Sequence, residues 1–387
     1  MLAGERGRAT QKCMRILHAL AMIYGAEGFV EVSSVQVSGV SYKNLGDAGI
    51  EFLQELAHDG KARVKTTLNP AGMSLDGWKE QGISSGFAEK QLEIIEAYRG
   101  LGVEITCTCT PYFAGNLPRL GQHIAWSESS AVVYANSVLG ARTNREGGPS
   151  ALAASLTGRT PLYGYHLDEN RRPTVRVDVE SPSTLSSTED FSAMGYFVGN
   201  AVKDGIPYFK GVRSAGVEDL KTLSAALASS GGIAMFHMGG VTPEAPPDPQ
   251  GIETFNFASK ELQEVKALLN DSGTTDLTAV GCPHCSLLEV GQIARLLNGR
   301  RVASDLWVCC SREVKRLSDA AGYSRIIQRS GAKFATDTCM VVAPIEEMGH
   351  RVVATNSAKA CHYLRNGGLK VKFLPLDECV LKACERH

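Results

Sequence analysis

Eleven cysteines stand in a chain of 387 residues, at Cys13, Cys107, Cys109, Cys282, Cys285, Cys309, Cys310, Cys339, Cys361, Cys379 and Cys384. The count is odd, and the opening MLAGERGRATQKCMR is charged where a secretory leader would be apolar. Both features argue against a disulfide framework and for a cytoplasmic setting. Free thiols at this density serve as small buried apolar groups or hold a metal. Three contexts point to metal chemistry. Cys109 precedes the turn residue Pro111 in CTCTPY. Cys282 and Cys285 form CPHC between a short strand, Thr278–Gly281, and a helix face marked by Leu287, Val290, Ala294 and Leu297. Cys339 lies at the polar-to-apolar transition of TDTCMVV. Ser286 and Glu289 have capping-box spacing, which puts CPHC at a helix N-terminus where amide dipoles stabilise thiolates. A lone CxxC also suits a redox dithiol or half a zinc site, although no second CxxC completes four ligands. Three thiolates from three strand–loop junctions could meet above one sheet edge. Such a set leaves one iron of a four-iron cluster open as a Lewis acid toward a hydroxyl. Cys309 and Cys310, in LWVCC, and Cys13, Cys361, Cys379 and Cys384, in helical contexts, read as packing residues.

Five loops offer groups for an anionic or hydroxylated ligand. SGVSYKN supplies Gly39, Val40 and Ser41 with Lys43, an anion cradle after a strand. Asn69 and Pro70 form a second loop after the next strand. SESSA places Glu128, Ser129 and Ser130 ahead of a helix, and ARTNREGG adds Arg142 and Arg145. In ATNSAKA, Asn356 and Ser357 start a helix with Lys359 in its first turn. Each loop could equally be a capped helix end; their number in one chain favours a site.

The elements that must hold these loops alternate. Helices are expected over Gln11–Tyr24, Ala48–Leu56 and Phe87–Arg99, and strands over Phe29–Val37, Arg63–Leu68 and Val103–Cys109, the last placing Cys107 and Cys109 on one face. Repeated strand–helix units predict a doubly wound α/β arrangement, with ligands beyond the carboxyl ends of the strands. The pattern weakens between SPSTLSSTED and TPEAPPDPQG and resumes from Asp276. The expected division is 1–145, 146–270 and 271–387. Lys plus Arg number 40 against 41 Asp plus Glu, for a net charge of −1. That balance counts against a nucleic-acid partner, and no apolar run approaches the roughly 18 residues of a membrane span.

SGVSYKN, TTLNPAG, CTCTPY, WSESSAVVYANSVLGARTNREGGPSALAA, GCPHCS, TDTCMVV and VATNSAKA occur in the order, and over nearly the whole chain, that identifies this sequence as similar to the large subunit of the aconitase X family. The resemblance implies three tightly associated α/β domains with parallel or mixed sheets, the family's swivelling domain being absent here and supplied by a separate small subunit. It implies a [4Fe-4S] cluster held by Cys109, Cys282 and Cys339, with Cys107 and Cys285 outside the ligand set. Glu128, Ser129 and Ser130 become catalytic candidates that also line the substrate, together with Gly39, Val40, Ser41, Asn69, Pro70, Arg145, Asn356, Ser357 and Lys359. A serine on the small subunit is the expected base. The implied activity is a hydro-lyase acting on a small phosphorylated hydroxy acid, (R)-5-phosphomevalonate, giving trans-anhydromevalonate 5-phosphate in the archaeal mevalonate pathway to isoprenoids. The alternatives are dehydration of cis-3-hydroxy-L-proline, an iron-sensing RNA-binding regulator, and a cluster-free zinc or redox protein.

Overall fold

Three parallel sheets carry the chain, built from short strands that are mostly small and β-branched, as strands covered on both faces must be. A computed structural model describes residues 1–180 and 185–385; the first four residues of the expected SPSTLSSTED connection lie outside them. The first sheet has the order Lys65–Leu68, Ser34–Val37, Ala125–Trp126. The second runs His237–Met238, Pro207–Lys210, Val175–Val179, Glu253–Phe257. The third runs Lys333–Thr336, Asp305–Cys310, Leu277–Cys285, Val352–Thr355, Lys370–Phe373. An antiparallel pair, Phe29–Glu31 with Arg159–Pro161, closes the first unit. The α/β class with three associated units is as expected.

Most expected elements recur with shifted ends: helices over Arg8–Ile23, Tyr42–Ala57 and Ser85–Gly100, and a strand over Lys65–Leu68. Two expectations need correction. The helix Gly148–Thr157 buries Ala151, Leu152, Ala154 and Leu156 in the core of the first unit, so a boundary at 145/146 cuts that core. The segment Val103–Cys109 is extended but is not a strand. It makes one parallel bridge, Thr67 to Glu104. Beyond it the Thr106 hydroxyl accepts from the Leu68 N–H at 3.0 Å and donates to the Leu68 carbonyl at 3.1 Å, replacing the ladder with a side chain. Cys107 has φ +42°, which breaks the alternation that would have aligned it with Cys109.

Glycines permit the close packing of the second unit. Its helices Thr188–Val202 and Val217–Gly231 cross so tightly that a Cβ on Gly231 would stand 2.2 Å from the Gly199 carbonyl oxygen. The third sheet is distorted where the chemistry lies. Its central ladder breaks between Val280 and Cys285, and Gly281 has φ +99°, with space for a Cβ taken by the Cys309 carbonyl at 2.2 Å. This bulge re-aims the residues after Gly281. Cys282 then packs in the large core with Cys339, while Cys285 packs in a separate core with Cys310, Val290 and Ile293.

Candidate active site

The loops singled out above leave the carboxyl ends of strands in the first and third sheets, and these two edges meet. From the first come Ser38–Ser41, Asn69–Gly72 and Ser127–Ser130; from the third come His284–Ser286, Asp337–Cys339 and Asn356–Lys359. Ala71 N–H donates to the Asp337 carbonyl at 2.7 Å, and Ser41 Oγ donates to the Val342 carbonyl at 3.1 Å. Arg312 holds the buried Asp337 through Nε at 2.6 Å and Nη2 at 2.7 Å, and reaches Asp76 of the first unit at 2.7 Å.

At the centre lies a buried ion pair. Glu128 caps the helix Ser129–Ser137, its Oε1 accepting the Ser130 N–H at 3.3 Å and hydroxyl at 2.8 Å. Asn69 Nδ2 donates to Oε2 at 2.9 Å. Lys359 Nζ donates to Glu128 and, at 3.2 Å, to Ser130 Oγ. Burial pushes the Glu128 carboxyl up, but the Lys359 charge and the hydrogen bonds from Lys359 and Ser130 outweigh it, so its pKa falls below the usual glutamate value. Lys359 is likewise pushed down by burial and raised overall by Glu128 and the nearby cysteines. Four expected residues from three loops, Asn69, Glu128, Ser130 and Lys359, thus form one charged, fully bonded group.

The other candidates are distributed around it. Ser357 caps its own helix and lowers the Cys282 pKa, against the larger effect of burial. Asn356 turns to Glu189 of the second unit at 3.2 Å. Gly39 has φ +75° and precedes Val40 and Ser41, the latter the N-cap of Tyr42–Ala57. Gln91, which sequence reasoning missed, fixes this turn: Nε2 donates to the Val40 carbonyl at 3.0 Å, and Oε1 accepts from the Tyr42 and Gly72 amides at 3.1 and 2.9 Å. Pro70 is buried and Ser129 half-buried. Arg145 is exposed and donates to the Gly232 carbonyl at 2.7 Å; no hydrogen bond or ion pair ties it to the Glu128 group. Lys43 pairs with Glu346 at 3.1 Å.

Cys109, Cys282 and Cys339 are buried, and burial is the main cause that raises each pKa; Cys109 is raised further by Glu128 and then by Cys339 and Cys282. Cys339 is pushed up to about 12, by burial and by Cys282. Among the described residues no three His, Cys, Asp or Glu side chains converge on one metal ion. Buried thiols are the donor type that iron–sulfur clusters take. Binding would have to displace the thiol protons. Cys107 is raised by burial and by the nearby Asp337, and Cys285 by burial and by the nearby Glu289.

A second buried ion pair lies behind the cysteines. Lys221, from the second unit, donates to Glu289 and, at 3.2 Å, to the His284 carbonyl. Glu289 also completes the capping box, accepting the Ser286 N–H at 2.7 Å. His284 itself is fully buried, and burial lowers its pKa to about 4. Its role had no signal beyond its place inside CPHC.

The first-, second- and third-domain models of aconitase X match residues 1–169, 173–267 and 275–385. The chain is 51% identical to the phosphomevalonate dehydratase large subunit of Methanocaldococcus jannaschii, over 94% of this chain and 93% of that one. It is 37% identical to the cis-3-hydroxy-L-proline dehydratase of Pseudomonas aeruginosa, over 98% of this chain but 68% of that one. The crystal structure of Thermococcus kodakaraensis aconitase X in its holo-form superposes with a TM-score of 0.92 at 47% identity, covering 99% of this chain and 97% of that one.

Proposed function

Because this chain belongs to the aconitase X family, we propose that it is the large subunit of a phosphomevalonate dehydratase, a hydro-lyase that converts (R)-5-phosphomevalonate to trans-anhydromevalonate 5-phosphate on the way to isoprenoids. The observation that carries this reading is the identity of 43–51% to four archaeal relatives of that name, against 37% for the hydroxyproline enzyme of Pseudomonas. That hydroxyproline relative is also longer, and this chain spans only 68% of it.

In this reading Cys109, Cys282 and Cys339 hold a [4Fe-4S] cluster, which supplies Lewis-acid chemistry toward the departing hydroxyl. Glu128, kept ionised by Lys359, is an acceptor that orients the substrate's hydroxyl groups, with Asn69 fixing its second oxygen. Ser129 and Ser130 line the same wall, and Ser357 and Asn356 approach from the third unit. Gly39, Val40 and Ser41, in the turn that Gln91 holds, receive the phosphate end on backbone amides. The carbon-bound proton leaves to a base on a separate small subunit while the carbon–oxygen bond breaks; the hydroxide released takes up one proton and departs as water, and loss of the abstracted proton returns the base to its starting state. The protein works in the cytoplasm; among the described residues no helix is long and apolar enough to cross a membrane.

The test is turnover by anaerobically purified large chain mixed with its small subunit. Phosphomevalonate should be dehydrated, and the large chain alone should be inactive. Turnover of cis-3-hydroxy-L-proline with none of phosphomevalonate would transfer the assignment to the other branch of the family. Iron and acid-labile sulfide should persist in Cys285→Ser and vanish in Cys109→Ser, Cys282→Ser or Cys339→Ser.

A further inference from the structure

Among the described residues, His284 alone is hydrogen-bonded across all three cysteine-bearing segments. It follows Cys282 by two positions, and its backbone N–H donates to Cys109 Sγ at 3.2 Å. Its ring reaches both ways. Nδ1 lies 2.9 Å from the Thr108 hydroxyl, next to Cys109, and Nε2 lies 3.0 Å from the Thr338 carbonyl, next to Cys339. A carbonyl only accepts, so Nε2 carries the proton and Nδ1 accepts from Thr108. The Thr110 amide and hydroxyl then serve Thr108 Oγ1, at 3.2 and 3.1 Å. Every polar atom of this chain of bonds has a partner, and the ring is wholly buried.

The Thr108–Thr110 segment needs such a brace. It is not held by a sheet ladder, for Cys107 has a positive φ and the last bridge to the first sheet is at Glu104. Thr108 keeps a backbone bond to the Leu68 carbonyl at 2.9 Å, and Gln36 donates to the Thr108 carbonyl at 3.0 Å, but both fix the backbone ahead of Cys109 and neither spans to the third unit. We infer that His284 is a positioning residue, a two-ended brace that holds the Cys109 and Cys339 loops at the spacing of the Cys282 loop before any iron is bound. This inference rests on the cluster reading above. Groups one step behind metal ligands typically contribute 10–100-fold to metal affinity.

The experiment compares wild type with His284→Phe, which fills the ring's space without its nitrogens, His284→Gln, which can keep a donor to Thr338, and Thr108→Val, which removes only the hydroxyl. Each chain is reconstituted anaerobically with iron and sulfide and then challenged with a chelator. Loss of visible absorption and of chain-bound iron is followed, and the melting of each apo chain is recorded separately. The expected result is loss about 10–100-fold faster in His284→Phe and Thr108→Val, with His284→Gln in between and apo Thr108→Val folded like wild type. Retention equal to wild type in both Thr108→Val and His284→Phe overturns the inference; should His284→Phe fail to fold, Thr108→Val alone decides. Wild type without iron and sulfide after reconstitution would instead overturn the cluster reading on which the inference stands.

Discussion

Two buried lysine–glutamate pairs join the third unit to the other two, and they are built differently. Lys221 is 1% exposed and Glu289 9%; Lys359 is 8% exposed and Glu128 9%. In the first pair the remaining capacity is spent on structure. Lys221 also holds the His284 carbonyl, and Glu289 also holds the N-terminus of Leu287–Leu297. In the second pair the extra partners are side chains of substrate candidates, Asn69 and Ser130, and the charges that bear on Lys359 include Cys282 and Cys109. Desolvation makes a buried ion pair poor value for stability alone. The Lys221 pair fixes an interface and a helix start, whereas the Lys359 pair keeps a carboxylate ionised where the cysteines collect.

Breaking either pair on one side gives the largest effect. Lys221→Met or Lys359→Met leaves a carboxylate buried without its cation, at a cost of about 3–5 kcal/mol in denaturant unfolding. A cost below about 1 kcal/mol at either site would mean that the pair is already solvated.

Replacing both partners separates the two pairs. Lys221→Met with Glu289→Gln removes the charges and keeps an acceptor for the cap, so stability and turnover should both return close to wild type. Lys359→Met with Glu128→Gln should also recover stability but leave turnover roughly 100-fold low, because the substrate is no longer held in register. Equal recovery of turnover in both double variants would mean that the two pairs play the same structural part.

The sequence made one of these pairs half visible. SESSA and TNSAK placed Glu128 and Lys359 at helix starts, and the capping-box spacing of Ser286 and Glu289 appears with both of its bonds. Residue type and local spacing carry that information, because a cap is made within four residues. The partner across the chain is not so encoded. Lys221 lies in an ordinary helical stretch, 68 positions from Glu289, and nothing in its neighbours announces burial. The TCTCT alternation misled for a similar reason: strand periodicity is a local signal, whereas Thr106 spends its hydroxyl on Leu68, 38 positions away. Parallel strand–helix order was legible because it repeats; the tertiary polar contacts occur once each.

A carboxylate with no lysine sharpens the comparison. Glu146 is buried, and among the described residues its carboxyl accepts only from Ser150, at 2.5 Å, and Thr160, at 2.7 Å. Burial raises its pKa above 4.5, and the two hydroxyls offset this only in part. A raised carboxyl favours the folded state below its unfolded pKa, and that contribution is lost as pH rises through the folded value. Glu146→Gln, which mimics the protonated form, should therefore match wild type near pH 4 and melt higher than wild type at pH 7–8. A melting temperature below wild type at pH 7–8 would show that Glu146 is held as an anion, as Glu128 is.

The smallest effect tests whether the helix start behind the cysteines acts on stability alone. Ser286 Oγ accepts the Glu289 N–H at 3.2 Å and donates to Glu218 of the second unit at 2.7 Å. Ser286→Ala removes both while leaving Glu289 on the residue 286 amide and Lys221 on Glu289. Loss of an N-cap costs about 1 kcal/mol, so the denaturant midpoint should fall with an unchanged slope. The position is two residues from His284, yet its hydroxyl touches neither Thr108 nor Thr338, so chelator resistance of the reconstituted cluster should stay at the wild-type level. If Ser286→Ala sheds iron as fast as Thr108→Val, the cysteine loops are held by the helix start as a whole, and the division between a structural pair behind the cysteines and a functional pair beside them would have to be redrawn.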